Sequence, residues 1–422
     1  METDGFYPLR PIQRWLLETH FNKLDSTMMN ISALFRFDEK FDFELAIQYT
    51  MESLNAHDIF SVRLVRHPET GEFCQRFDGE IKPLFIEYLS DEEFERRKEN
   101  LIRPYEIIDQ PLYRLEFFVT PTAKYVFFDC YHVMLDGIAA MILFWKEVEM
   151  RYCGKKVARR TLNYSDYILD ELKIPPEELE EGNKFWREML KGFDETRHLP
   201  PPDVEGSQQW RQNTLIIDLE NITHEFFAQT AYSENTFFVA ATMLAIARTT
   251  GAKTSVMSWV HNGRHTAQER RLVGIMIEQF PISWNFEKDL SAGAFLSGLE
   301  AKIQSGMKYR HSLGTIYDEG LENDCASLIF QKSDIGAFNG TAFAGLPVEM
   351  VDLPPSKYAA AENFLDLELN LGNDDKYFVY FDYNASRYSE TAIENFAATL
   401  DEIVLALQDE SKMISEILTA KG

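Results

Sequence analysis

Three observations predict an α+β protein built in two parts. Its 422 residues exceed what one ordinary core holds. Strand-like apolar runs and helix-like segments recur in both halves. Proline-rich stretches, Ile174-Pro175-Pro176 and Pro200-Pro201-Pro202, separate the halves. The boundary is expected near 178, giving parts 1–178 and 179–422.

Each element of the first part follows from its pattern. Pro8 and Pro11 start a short turn and a helix, with Trp15-Leu16-Leu17 on the buried side. Residues 31–37 alternate as a strand. Residues 43–54 place Leu45, Ala46, Tyr49 and Leu54 roughly on one helical face. Residues 61–65 form a strand that turns at Glu69-Thr70-Gly71 into a second one. Residues 81–88 read as a further strand and 91–103 as a charged helix. Residues 112–119 and 124–131 form a hairpin around Pro121. A buried helix follows over 138–148.

The second part repeats the style. Pro175-Pro176-Glu177-Glu178 opens a helix that runs through Phe185-Trp186. Strands are expected at 213–219, 254–260 and 327–331, and helices at 236–249 and 291–307. Residues 365–371 and 377–383 pair around Gly372-Asn373-Asp374, and 389–407 form a closing amphipathic helix. No short repeat and no low-complexity tract occurs.

Bulk composition narrows the function. A net charge of −26 argues against a broad basic face for nucleic acid. An anionic ligand would need a local basic patch: Lys155-Lys156 with Arg159-Arg160, Arg270-Arg271, or Lys308 with Arg310. For each, scattered surface charge is the simpler reading. Cys74, Cys130, Cys153 and Cys325 form no CxxC pair, so neither zinc nor a redox couple is signalled. The acidic amino terminus lacks a signal-peptide pattern, and the longest apolar run, 237–247, is too short to span a bilayer. A cytoplasmic location is the expectation.

The chemistry concentrates at Tyr131-His132-Val133-Met134-Leu135-Asp136-Gly137. The apolar run Tyr125-Val126-Phe127-Phe128 leads into it, and a helix follows. A histidine is thus held rigidly at a strand end, where it exchanges a proton near neutral pH. That arrangement suits a general base. Asp136 stands where a helix cap is expected. No GxSxG, GxxxxGK[ST] or HExxH occurs, and no metal is implied.

At this point the chain resembles a known superfamily: the condensation domains of non-ribosomal peptide synthetases and the freestanding CoA-dependent acyltransferases. The family mark HHxxxDG reads here as Tyr131-His132 with Asp136-Gly137. Tyr7-Pro8-Leu9 with Gln13 resembles the family's opening, and Asn55-Ala56-His57-Asp58 its second motif. Tyr164-Ser165-Asp166-Tyr167 and Phe185-Trp186 resemble the crossover segment. Gly263-Arg264, Val273-Gly274 and Pro281 resemble the strand and floor loop. Phe381-Asp382-Tyr383-Asn384 resembles the carboxyl end. The series holds in order over nearly the whole chain.

The resemblance implies two chloramphenicol-acetyltransferase-like lobes in a V-shaped pseudo-dimer with a central tunnel. It implies that His132 takes or holds the proton of an amine or hydroxyl attacking a thioester. Asp136 would be structural, pairing with an Arg from the second lobe, for which Arg264 is the match. Gly137 would let the backbone pass close to the thioester. Tyr131, Arg264 and Gly274 are the expected substrate-binding positions. The donor would be a phosphopantetheine thioester, acyl-CoA or acyl-carrier protein, arriving in trans, with no bound cofactor. The acceptor would be a small amine or alcohol, and the product an amide or ester. A freestanding monomer is expected.

Departures from the family pattern bear on specificity. Tyr131 replaces the first histidine and, by strand alternation, points away from His132. Ala56 and Ser61 stand where arginines are usual, and Glu278-Gln279 where Asn-Thr is usual. His57 is expected to be structural, His311 is a weak match to a late motif, and His261 and His265 are either tunnel-lining or surface residues. Two rival readings stay open: an epimerase-like relative and a non-catalytic recruitment module.

Overall fold

In the computed structural model, residues 4–22, 24–158, 161–191, 199–204, 212–319, 325–331, 341–353, 365–372 and 374–419 are described. They form two compact units. The first draws on residues 1–173, 262–277 and 335–359; the second on 174–261, 278–334 and 360–422. The chain therefore leaves the first unit at 173 and returns to it twice.

The first unit carries a six-stranded sheet in the order Thr341–Phe343, Leu346–Val351, Asn30–Phe37, Lys124–Tyr131, Tyr113–Val119, Ile86–Tyr88. Every neighbouring pair is antiparallel except Ile86–Tyr88 on Tyr113–Val119. Lys124–Tyr131 lies centrally and is buried on both faces from Val126 onward, which explains its unbroken apolar reading. A second sheet joins Tyr7–Pro8, Phe73–Phe77 and Val62–Arg66. The helices include Pro11–Asn22, Phe43–Ala56, Phe144–Tyr152 and Tyr164–Glu171. Asp42 caps Phe43–Ala56 by accepting from Leu45 N at 3.0 Å.

Several boundaries differ from expectation for local reasons. The 81–88 strand shortens to Ile86–Tyr88: Pro83 has no N–H for a ladder. The 91–103 helix ends at Lys98, ahead of Arg103, which Pro104 biases toward extended backbone. The 138–148 helix opens as a π-helical segment, Ile138–Leu143, before turning α-helical at Phe144. The edge hairpin 341–351 is an addition that the sequence pattern does not predict.

The second unit carries a six-stranded sheet in the order Glu278–Asn285, Thr254–His261, Ser327–Gln331, Leu365–Leu371, Lys376–Asn384, Gln212–Thr223. Ser327–Gln331 pairs in parallel with both its neighbours. Leu365, Leu367 and Leu369 with Tyr377, Val379 and Phe381 put alternate residues into the core. The helix Glu234–Thr250 is buried from Thr236 to Ala247, capped by Ser233 and ended by Gly251 at φ 69°. It packs against Glu390–Leu407, whose Ser389 accepts from Ala392 N. The Glu278–Asn285 strand is likewise absent from the sequence-based expectation. The turn residue Asn373 and the pair Arg159-Arg160 lie outside the described residues. Among the described residues no helix is long and apolar enough to cross a membrane.

Candidate active site

His132 is the first residue beyond the Lys124–Tyr131 strand. Its backbone N–H donates to the Met29 carbonyl at 2.8 Å, and Met134 N closes a turn on the Tyr131 carbonyl at 2.8 Å. Gln13, itself buried, donates to the Val133 carbonyl at 2.9 Å. The histidine is therefore fixed by backbone bonds on both sides. The residue keeps partial exposure, while its Nδ1 is buried and, among the described residues, makes no hydrogen bond of normal geometry. Burial holds the imidazole below its ordinary pKa, and backbone hydrogen bonds from His132 itself and Leu135, with the Asp136 charge, oppose that shift. The lowered pKa favours the neutral imidazole, the form a base requires.

Asp136 is fully buried and fully occupied. Its Oδ1 accepts from Ala139 N at 2.8 Å, capping the helix start, and from Arg264 Nη2 at 3.0 Å. Its Oδ2 accepts from Arg264 Nη1 at 2.9 Å and Met276 N at 2.7 Å. The Arg264 guanidinium also donates to the carbonyls of Asn262, Leu272 and Gly274. Two oxygens with two donors each leave Asp136 no free lone pair of useful geometry. It is a brace between the motif and the returning segment 262–277, and that segment packs with the first unit.

Gly137 has φ −56° and ψ −41°, helical values open to any residue, so its backbone does not require glycine. Gly263 is different: at φ 64°, a Cβ there would overlap the Met276 carbonyl. Gly274 lies against Tyr164, and a Cβ would enter the tyrosine ring.

Tyr131 is 1% exposed, with its ring edge-on to His20 and tilted to Tyr105, and its hydroxyl has no hydrogen-bond partner among the described residues. Burial pushes its pKa up. It fills the core, as strand alternation indicates, and offers no exposed surface to a substrate. Arg264 and Gly274 are likewise buried and act within the brace. His57 bonds Glu147 at 3.1 Å, which also pairs with Arg151. In the second unit, His261 stands 3.7 Å from Glu278, with Arg310 also 3.7 Å from that carboxylate. Of the basic patches, Lys308 pairs with Glu181.

Sequence reasoning missed a second set of supports. Asp58 accepts from Tyr164 N at 3.0 Å, Ser165 N at 2.9 Å and Ser165 Oγ at 2.6 Å, so it caps the Tyr164–Glu171 helix. Arg10, 6% exposed, pairs with both oxygens of Glu171 and reaches the Ile275 carbonyl. A charged residue directly after the apolar opening Tyr7-Pro8-Leu9 was the available signal for Arg10.

The family model for the condensation domain matches residues 3–420. Tyrocidine synthase 3 of Brevibacillus parabrevis is 20% identical over 416 residues, covering 94% of this chain and 6% of that protein. Bacitracin synthase 3 of Bacillus licheniformis is 21% identical over 262 residues, covering 60% of this chain and 4% of that protein. This chain thus spans a small fraction of the curated relatives it matches. Among solved structures, the condensation domain from Monacolin K polyketide synthase MokA superposes with a TM-score of 0.78 at 15% identity, covering 97% of this chain and 99% of that one. The starter condensation domain of rhizomide synthetase RzmA gives 0.76 at 14%, covering 97% and 98%. The epimerization domain from the third module of tyrocidine synthetase B gives 0.75 at 16%, covering 99% of each chain. With nearly its whole length matched by that model, this chain belongs to the condensation domain family.

Proposed function

We propose that the chain is a condensation-type acyltransferase. It moves an acyl group from a phosphopantetheine thioester, on CoA or a carrier protein, to an amine or hydroxyl, and forms an amide or ester. The observation that carries the reading is the division of labour in the motif. Asp136 is consumed by four hydrogen bonds, whereas His132 is partly exposed, held below its ordinary pKa and fixed by backbone bonds on both sides.

In the proposed mechanism His132 accepts the proton as the acceptor's nitrogen or oxygen attacks the thioester carbonyl. The carbon–sulfur bond breaks, and the thiolate takes the proton back. A base at this place contributes roughly 10²–10⁴-fold, and orientation of the two substrates adds to that. Asp136, Arg264 and Gly274 act by holding the backbone around His132, and Gly137 by lacking a side chain. No cofactor is required for this chemistry.

A solved relative supports a thioester donor supplied in trans: a rhizomide synthetase RzmA starter condensation domain mutant is in complex with C8-CoA and Leu-SNAC. Cytoplasmic placement and a monomeric state belong to the same reading. Among the described residues no disulfide joins the four cysteines. Thiol release from short to long acyl-CoAs, with and without mixed amines and alcohols, tests the proposal in the isolated chain. Acceptor-stimulated release that disappears in His132→Ala supports it. Absence of release from every CoA removes the CoA version, and loaded carrier proteins are offered next. Partner binding that survives His132→Ala, without transfer from either donor, would identify a recruitment module instead.

A further inference from the structure

We propose that Arg10 is a positioning residue for the His132–Asp136 site, acting through the peptide bond between Ile275 and Met276. The carbonyl and the N–H of that one peptide group face opposite partners. The Ile275 oxygen accepts from Arg10 Nη1 at 2.8 Å and from Tyr164 Oη at 3.0 Å. The Met276 nitrogen donates to Asp136 Oδ2 at 2.7 Å. A peptide group is planar, so fixing its oxygen fixes the direction of its N–H. A cation bonded to the oxygen also draws electron density through the amide and strengthens the N–H as a donor.

Arg10 is held for this task. Glu171 takes Nε at 2.8 Å and Nη2 at 3.0 Å, the two-point geometry that sets a guanidinium plane. Tyr167 lies under the guanidinium, 5.0 Å from ring centroid to Cζ, and its hydroxyl accepts from Nη2 at 3.2 Å. The Tyr167 hydroxyl donates in turn to Glu171. Nη1 remains directed at Ile275.

The consequence reaches His132 through charge. Asp136 is the charged group whose field acts on the imidazole. Its negative charge is offset by Arg264 and by the Met276 N–H. Loosening that N–H leaves more of the Asp136 field on His132, and the imidazole becomes easier to protonate.

This inference rests on His132 being the base, but its test does not need turnover. Histidine-labelled protein is titrated by NMR, with His132→Gln identifying the His132 signal. Three variants are compared with wild type: Arg10→Met, Arg10→Lys and Phe41→Leu. Phe41 lies in an aromatic cluster with Phe37, Tyr152 and Phe343, so its loss weakens the unit without touching the peptide. In Arg10→Met the His132 midpoint rises by about 0.5 unit or more, in Arg10→Lys it rises less, and in Phe41→Leu it stays. If Arg10→Met does not fold, the Arg10→Lys midpoint decides. Where wild type transfers acyl groups, Arg10→Met lowers kcat by up to about 10²-fold, with donor KM unchanged. A lower melting temperature with an unmoved His132 midpoint would overturn the proposal. Wild type without transfer, but with the midpoint shift present, would overturn the acyltransferase reading instead.

Discussion

Replacing Asp136 by alanine should damage the first unit before it damages chemistry. The substitution strands the Arg264 guanidinium, whose side chain is 3% exposed, and leaves Ala139 N and Met276 N without an acceptor. Removing one member of a buried, hydrogen-bonded pair costs about 3–5 kcal/mol. A unit of about 200 residues loses roughly 2–4 °C per kcal/mol, so its melting temperature should fall by about 6–20 °C. Asp136→Asn should fall as well, because its amide nitrogen would meet a donor on one side. In Asp136→Ala/Arg264→Met the stranded charge is gone, so the loss should be smaller than in Asp136→Ala. Thermal unfolding followed by circular dichroism measures all three. A soluble Asp136→Ala protein with the wild-type melting temperature would refute the brace.

Further outcomes follow from named contacts. His132→Ala should keep the melting temperature within a degree or two, since its backbone bonds survive, while transfer falls roughly 10²–10⁴-fold. Because burial lowers the His132 pKa, kcat/KM should reach its plateau from below the ordinary histidine value of about 6.5. The unfolded chain binds that proton first, so the His132 contribution to stability is complete above about 6.5 and is lost as pH falls; calorimetry of wild type and His132→Gln reads the difference. Asp366 is half-buried and accepts from Ser327 Oγ, and desolvation pushes its pKa up to about 6. The folded state therefore binds a proton between about 6 and 4 that the unfolded state does not, and the charged form is a burden above 6. Asp366→Asn should raise the melting temperature at pH 8, with the gain shrinking below pH 6. Gly274→Ala should cost about 1–3 kcal/mol, because its methyl enters the Tyr164 ring; an unchanged urea midpoint would contradict that packing.

Local signals carried the fold where period and flanks agreed. The central strand ending at Tyr131, the Glu234–Thr250 helix and the Leu365–Leu371 pair all show in the apolar pattern. The hairpin 341–351 did not, because its short strands draw stability from pairing with Asn30–Phe37, a contact more than 300 residues away in sequence. The π-helical opening at Ile138 is equally hidden: Ile-Ala-Ala-Met-Ile-Leu suits any buried helix. At the site, the motif series singled out His132, Asp136 and Arg264; Asp136 and Arg264 do pair, but Arg264 lies in the first unit and not in the second lobe from which the resemblance drew it. The return of 262–277 to the first unit was not legible, since no local pattern records which core a loop joins. The contact that Arg10 and Tyr164 share stayed unread for the same reason: their common partner is a backbone carbonyl, and any residue type supplies one.

The most direct test of the central claim is the mass of the product. Wild type and His132→Ala are each incubated with an acyl-CoA or acyl-carrier donor and a defined amine or alcohol, and the mixture is read by mass spectrometry. The account predicts a product with the mass of donor thioester plus acceptor minus the released thiol, formed by wild type and lost in His132→Ala. Equal product from both proteins would contradict His132 as the base. No product from either donor class, in a protein that still binds its thioester, would contradict acyl transfer.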